Sequence, residues 1–345
     1  MKRNFASVLI ALALWGCRDS VVVDGLKPVA STLGVYVVNE GGFSGGGSLS
    51  YYDEKKDTLF NDVAGSAANW VFPNDMKIVD GRGYVAVNGS DRVDVIDPGS
   101  NHILTSIPFP QFSGPGYFAS AGSSLLVANY NGTMSIVSPG LDSLLLTTPP
   151  LVTFPGGIAA AGGKAFISDY GTYVNNQFVP GRMVRVFNDS TGRQMDSIAL
   201  SDAPGAMTVL NGKLFVVCAG TQTVHPKLYQ IDPALDRSED SLVLSGAVSD
   251  IVNDGNALFV LAADGVGKYA IGPLRVIQAN FIPRSGGLYF YSLGADATNG
   301  DIYVTNVVGS GGAGRLEIYT ALGVSKRPAL AAGIFPGALA FYRAP

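Results

Sequence analysis

Residues 73–107 read Pro73-Asn74-Asp75-Met76-Lys77-Ile78, then Gly81-Arg82-Gly83, then Tyr84-Val85-Ala86-Val87-Asn88. Arg92-Val93-Asp94-Val95-Ile96-Asp97 and Ile103-Leu104-Thr105-Ser106-Ile107 follow. These are four short runs rich in β-branched and aromatic residues, separated by glycine and Asp-Pro turns, which is the pattern of consecutive antiparallel strands. The order returns from Pro115 with Leu125-Leu126-Val127-Ala128-Asn129, and from Pro155 with Ala165-Phe166-Ile167-Ser168-Asp169. It returns again from Pro204 with Leu214-Phe215-Val216-Val217. The four prolines stand 42, 40 and 49 residues apart, the last copy but one carrying a loop insertion. Two further copies contain Ala257-Leu258-Phe259-Val260 and Asp301-Ile302-Tyr303-Val304-Thr305-Asn306. A repeat of about forty residues with four strands has the size of one β-propeller blade. A parallel β-helix needs a shorter period, and helical repeats need a 3.6-residue periodicity absent here.

The two ends of the chain complete the count. Gly34-Val35-Tyr36-Val37-Val38-Asn39 is a second strand with no first, and a first strand without successors stands at Phe335-Pro336-Gly337-Ala338-Leu339-Ala340-Phe341-Tyr342. Joined, they form one more blade. The sequence therefore predicts an all-β, seven-bladed β-propeller of four-stranded blades over residues 34–345, its ring closed by the C-terminal strand joining the N-terminal blade. Such closure removes the last free sheet edge. Composition agrees: of 345 residues 47% are hydrophobic and 14% charged, with 44 Gly and 19 Pro to supply turns.

The formal net charge of −4 and the lack of Lys/Arg clusters beyond the first three residues exclude nucleic acid as a partner. Lys2 and Arg3 precede the apolar run from Phe5 to Leu14, too short to span a bilayer and ordered like an export signal. Leu14-Trp15-Gly16-Cys17 resembles the lipobox of bacterial lipoproteins, which implies a signal peptide over residues 1–17 with Cys17 lipidated. An ordinary cleaved signal peptide is the alternative. Residues 18–33 read as a tether of roughly 50 Å when extended. Cys218, the only other cysteine, lies in a buried-strand run and reads as a core thiol, so no disulfide framework is expected.

Tyr303-Val304-Thr305-Asn306 matches the motif of the YVTN family of propeller repeats, with Tyr36-Val37-Val38-Asn39 and Tyr84-Val85-Ala86-Val87-Asn88 as variants. Val35 to Phe43, followed by Gly47-Ser48-Leu49-Ser50-Tyr51-Tyr52-Asp53, resembles the opening blade of YncE-like surface lipoproteins. Relatives of the BtuG type in that group capture vitamin B12 beside outer-membrane TonB-dependent transporters. The resemblance implies a lipid-anchored protein of the bacterial outer membrane, on its surface or periplasmic side, with a corrinoid or other nutrient as ligand and a TonB-dependent transporter as partner.

Propeller topology gathers the lead-in turns and the ends of the second strands on one face, around the channel mouth. That face is expected to receive Asn39, Glu40 and Phe43, then Trp70, Asn74 and Asp75, then Asn88 with Asp91. It also receives Asn129 with Tyr130, Asp169 with Tyr170 and Tyr173, and Asn306. Rings with amides and carboxylates suit an amphipathic or sugar-like ligand, a small molecule or glycan. Asn and Asp after a strand also bond their own turns, so part of this set builds loops. The insertion Gly171–Phe178 exceeds what a hairpin needs and reads as a recognition loop.

No catalytic set emerges. His102 and His225 are too few and too far apart in the repeat for a histidine metal site, and no Ser-His-Asp arrangement is brought together. The glycine runs 45–47 and 309–314 lead into no helix, as a phosphate cradle requires, and no calcium loop occurs. The expectation is a monomeric, non-enzymatic binding protein with no cofactor and no metal. An envelope protein-interaction scaffold is the alternative reading, followed by a metal-dependent propeller enzyme such as a lactonase or lyase.

Overall fold

A computed structural model describes residues 31–42, 45–65, 69–284, 289–309 and 313–344. The signal segment, Cys17, most of the tether and Phe43 lie outside these residues. Seven sheets of four antiparallel strands make the seven blades. Blade 1 runs from its inner strand Pro336–Arg343 through Thr32–Asn39 and Ser48–Asp53 to Thr58–Phe60. The remaining inner strands, in chain order, are Pro73–Val79, Pro115–Ala121, Pro155–Ala161, Pro204–Leu210, Val248–Asn253 and Tyr289–Ala295. Each packs against the inner strands of both neighbouring blades, and the cycle closes through Pro336–Arg343. Closure is carried by antiparallel pairing of Val35 with Phe341 and Val37 with Leu339. The first strand begins at Thr32, slightly ahead of the boundary read from the sequence.

The second strands read as unbroken apolar runs because both of their faces are buried. Along Thr32–Asn39, Val35 and Val37 pack toward blade 7, while Tyr36 and Val38 pack toward blade 2. Seven such cores fill the seven blade-to-blade interfaces. Each fully buried ring, such as Phe166 or Phe215, contributes roughly 2–3 kcal/mol from apolar burial. The outer strands are largely exposed, as in Ile103–Pro108.

The tyrosine of the Tyr-Val-x-Asn motif has a fixed task. Tyr36 Oη lies 2.9 Å from Pro98 O and 2.6 Å from Asn101 Oδ1, in the third-to-fourth-strand turn of blade 2. Tyr84 Oη makes the same reach into blade 3, 3.1 Å from Pro139 O and 3.0 Å from Asp142 Oδ1. Tyr303 Oη meets the Glu54 carboxylate in blade 1. Lys164 Nζ bonds Pro233 O at 2.9 Å and Asp236 at 2.6 Å in blade 5. The proline-bearing turns, read from the sequence as punctuation alone, thus accept the hydrogen bonds that tie blades together.

Tight turns follow from local chemistry. Asp80-Gly81, Gly162-Gly163 and Asn211-Gly212 each adopt positive φ at both residues, which two-residue hairpins of the sheet's twist require. The insertion in blade 4 is a hairpin, correcting its reading as a loop. Strands Lys164–Val174 and Gln177–Asn188 run on together, pairing Tyr173 with Phe178 and turning at Asn175-Asn176, both at positive φ.

Candidate functional site: the mouth of the propeller channel

All seven inner strands begin with the same irregularity. The pairing register of each slips near its start, between Pro73 and Asp75, Pro115 and Tyr117, Pro155 and Gly157, Pro204 and Met207, Val248 and Asp250, Phe290 and Ser292, and at Pro336. The bulge leaves an extra residue and re-aims side chains toward the axis. Glycine stands beside it in four of the blades, at Gly116, Gly156, Gly205 and Gly337. A Cβ on Gly156 would stand 2.7 Å from Pro204 O, and one on Gly337 would stand 2.2 Å from Glu40 Oε1. The lead-in Pro-Gly pairs therefore let adjacent inner strands, and the Glu40 carboxylate, lie close to the backbone.

These bulges enclose a cavity of about 350 Å³ in the mouth half of the channel. Every blade contributes to its wall, with Asn74 and Asp75, Tyr117, Gly157, Ala206, Asp250, Ser292 and Ala338 among the residues facing it. Glu40, Tyr130 and Tyr291 reach over the mouth. A side cavity of about 230 Å³ adjoins it between Tyr117, Phe154 and Tyr170.

Three carboxylates lie at the cavity. Asp75 accepts the N–H of Met76 at 2.7 Å and, from the next blade, that of Phe118 at 2.8 Å. Asp250 repeats the arrangement, accepting from Ile251 at 2.8 Å and from Leu293 of the next blade at 3.1 Å. Burial in the channel pushes both carboxyls up to about 6, against the pull of these N–H bonds; repulsion from Asp250 adds to the rise at Asp75 and Lys77 opposes it. Glu40 is likewise raised by burial, although Tyr291 Oη donates to its Oε2 at 2.9 Å. No Lys, Arg or His lines the cavity among the described residues.

The aromatic side of the mouth is continuous. Tyr130 stacks on Phe154 with centroids 5.0 Å apart, meets Tyr117 edge-on at 5.6 Å, and its hydroxyl lies 3.3 Å from that of Tyr117. Beyond it, Tyr170 and Tyr173 both flank Phe178 at 5.4 Å, with Tyr173 displayed on the blade 4 hairpin at 73% exposure.

Of the residues expected at this face, Glu40, Asn74, Asp75 and Tyr130 line the central cavity and Tyr170 lines the side cavity. Tyr173 sits on the exposed rim. Asn88 opens a single helical turn after its strand and lies outside the cavity wall. The other described ones line neither cavity. Asn39 and Asn129 are fully buried and donate to Ser50 and Ser135 on their own third strands, each at 2.9 Å. Asn306 is also fully buried. Asp91 holds the N–H groups of Phe112 and Gly114 at 2.8 and 2.9 Å, fastening the lead-in of the following blade, and Asp169 holds that of Thr153 at 3.1 Å, fastening the lead-in of its own. Trp70 is 1% exposed and donates Nε1–H to Asp94 at 2.6 Å. Asp94 also receives Arg92 and Ser106, so the indole caps a buried polar knot inside the blade 1–2 core.

Tyr117, Phe154, Asp250 and Tyr291 escaped the sequence reading. Asp250 had a signal, since Val248-Ser249-Asp250-Ile251 aligns with Pro73-Asn74-Asp75-Met76; the missing proline hid it. Tyr117 occupies the same offset from Pro115. His102 and His225 are exposed and both lie away from the cavity. Cys218 is a buried free thiol, pushed up to about 12 by burial. No helix among the described residues is long and apolar enough to cross a membrane.

The arrangement defines a seven-bladed β-propeller with a ligand-sized cavity at one mouth of its channel. Solved structures share that architecture. A quinoprotein alcohol dehydrogenase-like protein from Bacteroides thetaiotaomicron is 14% identical, with a TM-score of 0.67 over 90% of this chain and 79% of its own. A functionally unknown protein from Desulfotomaculum acetoxidans is 14% identical, with a TM-score of 0.70 over 89% of this chain and 98% of its own. Hydrazine synthase from Kuenenia stuttgartiensis is 15% identical, with a TM-score of 0.62 over 78% of this chain and 89% of its own. At these identities the likeness is one of fold. No family model and no curated protein matches the sequence.

Proposed function

We propose that this propeller is a non-enzymatic capture protein, lipid-anchored through Cys17 at the bacterial outer membrane, that holds a small-molecule ligand at the channel mouth. The observation that carries the reading is the cavity of about 350 Å³ walled by all seven inner strands, with Tyr117 and Tyr130 in its wall and Phe154 stacked on Tyr130 from the adjoining side cavity. A concave site on which a few polar groups and aromatic rings converge is a common setting for a ligand. The resemblance of the opening blade to YncE-like lipoproteins supports the anchored setting, delivery to a TonB-dependent transporter, and a corrinoid as the first ligand to try. A corrinoid exceeds the cavity, so it would lie over the mouth against Phe154, Tyr170 and Tyr173, with only a substituent inside.

Residues 31–344 contain the whole ring, so a soluble chain starting at Arg18 carries the site. Calorimetric titration of that chain with cobalamin and related corrinoids tests the reading. Binding that weakens about tenfold or more on Tyr130→Ala, about the loss of one well-packed aromatic contact, would support it. Absence of heat with every corrinoid removes that ligand; corrinoid binding that ignores Tyr130→Ala and Tyr170→Ala moves the site elsewhere.

A further inference from the structure

We propose that the channel-mouth cavity takes an organic cation, of the alkylammonium class, held between Asp75 and Asp250 beneath the rings of Tyr117, Tyr130 and Tyr291. The proposal rests on the reading of this cavity as the ligand site and adds the chemistry of the ligand. Its ionisable groups other than tyrosine are all acids, Glu40, Asp75 and Asp250, with no Lys, Arg or His among the described wall residues. Asp75 and Asp250 occupy the same bulge position in blades 2 and 6, which a seven-membered ring sets on nearly opposite sides of the axis. Burial in the channel disfavours the charge of each; at Asp75 the attraction of Lys77, two residues along the strand and outside the cavity wall, and the weaker repulsion of Asp250 leave burial the larger effect.

The fold does not require these carboxylates. Each ties an N–H of the next blade, but the equivalent positions in the other five blades are Tyr117, Gly157, Ala206, Ser292 and Ala338, and those interfaces close without one. Two like charges kept in a confined space, where packing does not need them, are accounted for by a positive partner. The amide of Asn74 points to the same chemistry. Its Oδ1 is buried at the cavity wall without a hydrogen-bond partner, a partial negative charge that a cation of either kind, protonated or quaternary, would offset. The tyrosine rings supply the remaining ingredient, since an ammonium over an aromatic face gains electrostatic attraction that a neutral group of the same shape does not.

A bare metal ion fits poorly. No group of three or more His, Cys, Asp or Glu side chains converges to hold one among the described residues. The carboxylates stand apart around a cavity of about 350 Å³, room for a polyatomic ligand whose charge lies on a bulky head.

The test compares choline with its neutral isostere 3,3-dimethylbutan-1-ol, and with acetate, by ligand-observed NMR and calorimetry on the soluble chain. The expected result on the unaltered protein is choline binding about tenfold or more tighter than the alcohol, with acetate unbound. Asp75→Asn combined with Asp250→Asn should abolish that preference, so that choline and the alcohol bind within about twofold of each other. The comparison on the unaltered protein needs no variant to fold. Equal binding of choline and alcohol, both weakened by Tyr130→Ala, would overturn the cation while keeping the cavity as a ligand site. No binding by choline, tetramethylammonium, benzyltrimethylammonium or the alcohol at millimolar concentration would overturn the proposal and weigh against the cavity itself.

Discussion

Asp75 and Asp250 make the stability of this propeller depend on pH in a direction opposite to that of most carboxylates. Their folded values of about 6 stand above the roughly 3.9 of an unfolded aspartate, so the native state binds more protons than the unfolded chain between about pH 4 and pH 6. The destabilisation is fully present above the folded value and is relieved as pH falls through 6 toward 4. Each two-unit rise corresponds to roughly 3 kcal/mol, which water in the channel trims to about 2 kcal/mol, and the shared repulsion makes the pair worth less than twice one. Replacing both with Asn removes the charge and also one of the two N–H acceptors at each site, a loss of about 1 kcal/mol per bond. The double variant should therefore be close to the unaltered protein in stability at pH 7.5 and less stable at pH 4.5. Between those values the stability difference should swing by about 2–3 kcal/mol. Urea unfolding of both proteins at half-unit pH steps measures it, and taking the difference cancels the salt-bridged carboxylates, such as Asp53 and Asp232, whose lowered values act in the opposite sense. Parallel pH curves for the two proteins would refute the reasoning.

Further expectations concern the framework. Trp70→Phe removes the indole donor to the buried Asp94 and should lower stability by about 2 kcal/mol in urea while leaving ligand affinity at the mouth unchanged; a loss of affinity without a loss of stability would return Trp70 to the site. Tyr84→Phe cuts the tie to Pro139 and Asp142 and should cost about 1 kcal/mol, read from the same unfolding curves. Cys218 should ignore a thiol reagent in the native soluble chain and react at once in denaturant, because burial holds its thiol far above neutrality. Truncation before Pro336 removes the inner strand of blade 1 and exposes the edges of Thr32–Asn39 and its neighbours, so the product should aggregate or unfold without a cooperative transition.

The blade count was legible because every ingredient is local. A second strand buried on both faces must be apolar throughout, as in Leu214–Val217, and a two-residue hairpin must carry residues tolerant of positive φ, as at Asp80-Gly81 and Asn211-Gly212. The split blade was legible for a related reason: a strand pattern lacking its partner at one terminus and supplying it at the other has one economical closure. The site was legible only in outline. Residues at the ends of second strands do gather at one face, but Asn39 and Asn129 turn inward onto Ser50 and Ser135, while Glu40 and Tyr130, one position later, turn to the mouth. A shift of one residue reverses the side a strand residue faces, and where strand becomes loop the alternation ends, so spacing cannot say which member of Asn39-Glu40 or Asn129-Tyr130 meets solvent.

By itself, then, the sequence determined the seven-bladed, closed ring and the face at which lead-in turns and second-strand ends gather, since turns, strand alternation and repeat length are properties of neighbours along the chain. Only the tertiary structure decided that Trp70, Asp91 and Asp169 are fastenings, that the blade 4 insertion is a hairpin, and that Glu40, Asp75 and Asp250 share one cavity with Tyr117, Tyr130 and Tyr291. Those last residues come from five different blades, and it is the curvature of the closed ring that brings them around a common axis and sets the dielectric surroundings in which their charges are felt.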